Sequence, residues 1–109
     1  MSNVIEIDDS NFEKEVLKSE VPVLVDFSAD WCGPCVRQLP VMEQFASANI
    51  GKVKVCKMDV DNSPITAEKL KIRGVPSIVL FNQGQRLDMK VGLTTASALS
   101  NLLLEKIGA

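Results

Sequence analysis

The run Val21-Pro22-Val23-Leu24-Val25-Asp26-Phe27 constrains the fold more than any other stretch of this chain. It is β-branched and apolar almost without interruption, so it lacks the alternation of a half-solvated strand. Such a strand belongs in the middle of a sheet with both faces covered. Ser77-Ile78-Val79-Leu80-Phe81 is a second run of this kind. Residues 53–60 form a third, with Val53, Val55 and Lys57 directed to one side and Cys56 and Met58 to the other. Residues 4–7 make a short edge strand.

Helices fall between these strands. Ser10 followed by Glu13 reads as a capping box for a helix over residues 11–18. Ser63 then Pro64 reads as an N-cap with a first-turn proline, opening a helix to about Lys71. Leu39, Met42, Phe45 and Ala46 mark one face of a helix starting near Cys35, with a kink expected at Pro40. Ala96, Leu99, Leu102, Leu103 and Ile107 mark one face of the last helix, and Gly108 stops it. The alternating first half requires right-handed crossovers and parallel pairing. Asn82-Gln83-Gly84-Gln85 joins residues 77–81 to residues 87–91 as an antiparallel hairpin. The expectation is an α/β chain: one domain over residues 1–109, with a mixed five-stranded sheet flanked by four helices.

The chemistry is carried by Asp26-Phe27-Ser28-Ala29-Asp30-Trp31-Cys32-Gly33-Pro34-Cys35. This segment leaves the carboxyl end of the central strand and enters a helix, where open α/β sheets carry their sites. Cys32 falls at the helix N-terminus, where free N–H groups and the dipole favour a thiolate. Cys35 lies one turn further in and more deeply buried. The pairing implies attack by Cys32 on a partner's disulfide, a mixed disulfide, and release by attack of Cys35 on Cys32. Two intervening residues make the second step effectively intramolecular.

The chain has no histidine, so every Ser-His and Cys-His mechanism is excluded. The proton leaving Cys35 needs another acceptor, and Asp26 is the candidate. It interrupts an apolar strand, where desolvation raises a carboxyl pKa, and Lys57 on the next strand is its charge partner. The competing reading puts Asp26 on a solvated edge face. Gly33 and Pro34 bring no charge to stabilise the Cys32 thiolate further, which predicts a reductant rather than an oxidase.

Trp31-Cys32-Gly33-Pro34-Cys35 matches the active-site pentapeptide of the thioredoxin family in full. Asp26 with Phe27, Pro40, Lys57, Gly74-Val75-Pro76, Gly84 and Gly92 fall where that family places equivalents. The chain thus resembles thioredoxins over essentially its whole length, which implies the thioredoxin fold. The resemblance further implies a cis Pro76 facing the cysteines and a Val75 backbone that pairs with an extended client segment. It implies an apolar docking surface of Trp31, Gly33, Pro34, Gly74, Val75, Pro76 and Gly92. It also implies thioredoxin reductase as electron source, with ribonucleotide reductase, peroxiredoxin and methionine sulfoxide reductase types as clients. Ser28, Val36 and Leu70 stand where the family often has tryptophan, lysine and tyrosine, with Arg37 supplying a charge beside Val36.

Other classes are weaker. With 12 basic and 14 acidic residues and few aromatics, nucleic acid is not an expected partner. Residues 1–6 lack the basic start and apolar run of a signal peptide, and no segment is long enough to span a bilayer. The expectation is a cytoplasmic monomer without cofactor, in which the three cysteines are not a disulfide framework. Zinc held by Cys32, Cys35 and Cys56 fails on ligand count, and Cys56 reads as a small buried hydrophobe. The rival reading is a scaffold whose apolar face recruits a partner while the redox pair is incidental. An oxidase or isomerase is a third.

Overall fold

The computed structural model describes residues 2–108. Its five-stranded sheet has the order β1-β3-β2-β4-β5, with β1 Ile5–Ile7, β2 Val23–Ser28, β3 Lys54–Asp59, β4 Ser77–Asn82 and β5 Gln85–Val91. β2 is the middle strand and buried throughout, as its uninterrupted apolar run requires. β1, β3 and β2 run parallel, while β4 pairs antiparallel with both β2 and β5.

The hairpin closes through a two-residue loop, with Asn82 paired to Gln85. Gln83 and Gly84 take φ of 52° and 79°, the left-handed pair that matches strand twist in such turns. The register slips between Leu80 and Phe81, and the extra residue sends Leu87 into the core.

Side-chain alternation divides the core. Ile7, Val23, Val25, Phe27, Cys56 and Met58 pack on one face beneath a short π-helical segment, Glu13–Leu17. Leu24, Val55, Ile78 and Leu80 pack on the other, against α1 (Gly33–Ala48) and α3 (Ala96–Ile107). The last helix buries Leu99, Leu102 and Leu103 as its periodicity demands, and Gly108 ends it at φ 78°.

Local signals fail at three points. No Ser10–Glu13 capping box forms: Ser10 donates both its N–H and its hydroxyl to Asp8, and the segment closes with an i→i+5 bond from Lys18 to Glu13. The helix opened by Pro64, α2 (Pro64–Lys69), stops short of Lys71, and Ser63 makes no side-chain cap. Asp9 supplies that cap from elsewhere in the chain, accepting the N–H groups of Ile65 at 3.1 Å and Thr66 at 2.8 Å. In α1 Gln38 is fully buried alongside Met42, while Leu39 is only half-buried. A polar side chain thus takes the inward position because polar partners await it.

Candidate active site

The site begins where β2 ends. Ala29, Cys32 and Cys35 form a small buried cluster against Val60 and Val75. α1 starts at Gly33, with Pro34 in its first turn and Cys32 as N-cap in extended conformation. The cap is made by sulfur, since Cys32 Sγ accepts the N–H of Cys35 at 3.2 Å. That contact points an N–H dipole of the helix N-terminus at the Cys32 sulfur. The two sulfurs are bonded to each other, with Cα atoms 5.3 Å apart, so the structure holds the oxidised pair.

Asp26 sits in the β2–β3 ladder opposite Lys57. It is completely buried, which excludes the solvated edge, and neither carboxylate oxygen has a hydrogen-bond partner among the described residues. Burial pushes its carboxyl up to about 7, partly opposed by the positive charge of Lys57. Lys57 is itself half-buried and lies 3.9 Å from Glu6 Oε1. Lys57, Ser28, Leu39 and Cys35 line a common cavity of about 160 Å³. Asp26 precedes Ser28 by two residues and so shares its face of the sheet. Ser28 is buried, and Val36 is exposed beside the cysteines.

The Val75–Pro76 bond is cis. The carbonyl oxygen of Val75 lies 3.7 Å from Cys32 Sγ. Gly92 joins this neighbourhood by donating its N–H to the Pro76 carbonyl at 2.8 Å, with φ of 93°. Gly74 lies close to Val91, whose γ-methyl would stand 3.5 Å from an added Cβ. Trp31 is 72% exposed, and its indole N–H donates to Asp61 Oδ2 at 2.9 Å. Cys56 does not join the pair: it lies in the core on the opposite sheet face, where burial pushes its thiol up to about 12.

Sequence reasoning missed Asp61, Gln38 and Asp9. Asp61 and Asp9 act across long separations and carry no local signal. Gln38 was detectable only as a polar residue on the inward helical face, four before Met42.

A disulfide between cysteines with two residues between them at a helix N-terminus, with a buried carboxyl and a lysine on the sheet face alongside, defines a thiol–disulfide oxidoreductase. The comparisons agree. A family model described as Thioredoxin matches residues 3–105. The chain is 44% identical to a thioredoxin of Rickettsia conorii, over 91% of this chain and 94% of that protein. It is 45% identical to thioredoxin 1 of a Nostoc species, over 94% of this chain and 96% of that one. A Pseudomonas aeruginosa thioredoxin is 41% identical over 93% of this chain and 94% of its own length. The chain belongs to the thioredoxin family.

Proposed function

We propose that Cys32 is the attacking sulfur and Cys35 the resolving one, in a monomeric protein-disulfide reductase of the cytoplasm. The observation that carries this assignment is the cap: Cys32 Sγ, not Cys35 Sγ, receives the helix N–H. In the reduced protein, the Cys32 thiolate attacks one sulfur of a client disulfide. A Cys32–client bond forms and the client's other sulfur leaves as thiolate. Cys35, deprotonated, then attacks Cys32, forming the Cys32–Cys35 disulfide and expelling the second client thiolate. Two electrons pass to the client.

Asp26 receives the Cys35 proton by way of the cavity that holds Cys35 and Lys57. A carboxyl raised to about 7 is matched to that task near neutral pH. Lys57 opposes the rise and keeps part of the population ionised. Trp31, Gly33, Pro34, Gly74, Val75, Pro76 and Gly92 form the docking surface, with the Val75 backbone pairing to an extended client strand.

Family membership implies a thioredoxin reductase as electron source and disulfide-bearing clients. Ribonucleotide reductase, peroxiredoxin and methionine sulfoxide reductase types are the proposed ones. The test is single-turnover reduction of a protein disulfide by the prereduced chain, with alkylation at intervals. Early capture of Cys32 in a mixed disulfide is expected. Equal reactivity of the two thiols would overturn the assignment. A Cys32→Ser, Cys35→Ser double variant that kept the biological role would favour the scaffold instead.

A further inference from the structure

The loop between β5 and α3 is fastened residue by residue, with one exception. Gly92 is tied to Pro76 through its N–H at 2.8 Å. Thr95 caps α3, its hydroxyl oxygen accepting the N–H of Ala98 at 3.1 Å. Thr94 is held by Gln38 of α1 on both sides of its backbone: its N–H donates to Oε1 at 2.9 Å, and its carbonyl accepts from Nε2 at 3.1 Å. The second Nε2 proton is directed to Met42 Sδ at 3.4 Å. Leu93 alone has no such tie, and its side chain stands 52% exposed.

A fully buried amide that spends both ends on one distant residue is a clamp, not a filler of space. A neutral group with one donor and one acceptor is needed here, as the amide provides, because Thr94 offers one of each and each needs its complement. Leucine would leave two backbone groups without partners, and a glutamate anion would set a negative oxygen against the Thr94 carbonyl. Gln38 lies on the helix that Cys32 caps and whose first turn carries Cys35. The clamp therefore ties the loop bearing Gly92 and Leu93 to the same rigid element as the attacking sulfur.

We infer that Gln38 is a positioning residue for client docking: through Thr94 it fixes Gly92 and Leu93 in register with the Cys32 sulfur. This rests on the reading that the Gly92 loop touches clients. Gln38 itself contacts neither cysteine nor client. Its loss should weaken capture of a folded or extended protein client more than exchange with a disulfide too small to reach the loop.

The experiment uses the prereduced full chain in single turnover. Insulin serves as protein disulfide and bis(2-hydroxyethyl) disulfide as the small one. For Q38L, the half-saturating insulin concentration is expected to rise about fivefold or more, on the scale of one lost positioning contact, with the limiting rate changed less than about twofold. The ratio of insulin to small-disulfide rate constants falls correspondingly. Q38E adds a signature that simple loosening of the core lacks. As pH falls and its buried carboxyl takes up a proton, the acid O–H can donate to Thr94 O while the acid C=O accepts the Thr94 N–H. The ratio, normalised to wild type at each pH, should then recover.

L93D separates the two levels of the argument. A raised half-saturation in L93D together with wild-type values in both Gln38 variants overturns the positioning role while the docking surface stands. A wild-type half-saturation in L93D shows that the loop does not meet clients, and the inference falls with the docking reading. A wild-type ratio for Q38E at every pH, with Q38L also unaffected, sinks the clamp alone.

Discussion

Asp26 and Lys57 occupy the same rung of the β2–β3 ladder, on the sheet face covered by the helix that carries the cysteines. One is a fully buried carboxyl without a hydrogen bond among the described residues, and the other is a half-buried amine whose far side meets Glu6. The rung is costly to the fold.

That cost has a definite pH dependence. In the folded chain the Asp26 carboxyl is raised to about 7, against an ordinary 3.8 when unfolded. Below the ordinary value both states hold the proton and nothing is lost. Between the two values the folded state holds a proton the unfolded state has released, so stability falls as pH rises, and above about 7 the full penalty applies. At about 1.4 kcal/mol per pH unit, Asp26→Asn should stabilise the protein by up to about 4 kcal/mol at pH 8. Near pH 3.5 the gain should vanish. Urea unfolding at both pH values measures it, and equal midpoints for wild type and variant at pH 8 would contradict the buried-carboxyl account.

The same substitution should slow the resolving step. With no carboxylate to take the Cys35 proton, mixed disulfides of the Asp26→Asn variant should decay about 10-fold or more slowly near neutral pH, within the range expected for general base catalysis. The first attack, by Cys32, should be affected much less. Rapid acid quench followed by separation of the covalent adduct reads both steps.

Removing either sulfur should give opposite phenotypes. Cys35→Ser is expected to accumulate a stable one-to-one adduct with a protein disulfide, because the internal attack is gone. Cys32→Ser is expected to form little adduct and to lose turnover. Intact-mass analysis distinguishes them. A Cys32→Ser variant that trapped clients as efficiently would reverse the assigned roles.

Trp31 is the sole tryptophan, so its emission reports on the site alone. The bond from its indole N–H to Asp61 holds an otherwise exposed ring. Asp61→Ala should release the ring and lower its fluorescence anisotropy on the nanosecond scale, without a matching change in far-ultraviolet circular dichroism. Unchanged anisotropy would show that the bond does not restrain the indole.

Asp9 gives an acid-side counterpart to Asp26. Its carboxyl is held below 3.8, first by the hydrogen bond from the Thr66 hydroxyl and also by the N–H groups of Thr66 and Ile65. The folded value is depressed, so the stabilisation is present above 3.8 and is lost as pH falls through the lowered folded value. Asp9→Asn should lower the urea midpoint at pH 7, and the difference should shrink in strong acid. A constant difference down to pH 2 would place the effect in packing rather than in charge.

Much of the molecule was legible because its signals are local. The apolar run of β2, the Gly84 turn, the 3.6-residue period of α3 and the Gly108 stop each act within a few residues. The Ser10–Glu13 box failed because Asp8, two residues earlier, competes for the Ser10 hydroxyl and N–H. Ser63 failed as a cap because Asp9 brings a charged acceptor to the same N–H groups.

Local residue order was enough for the sheet, the alternation of its two faces and the Cys32–Cys35 pair, since spacing along one strand or one helical turn dictates each. Tertiary packing decided that Asp26 is buried in the field of Lys57, that Asp61 restrains Trp31 and that Gln38 grips Thr94. Those relations join residues up to 56 positions apart, and such contacts exist only once the sheet has folded and brought its helices against it.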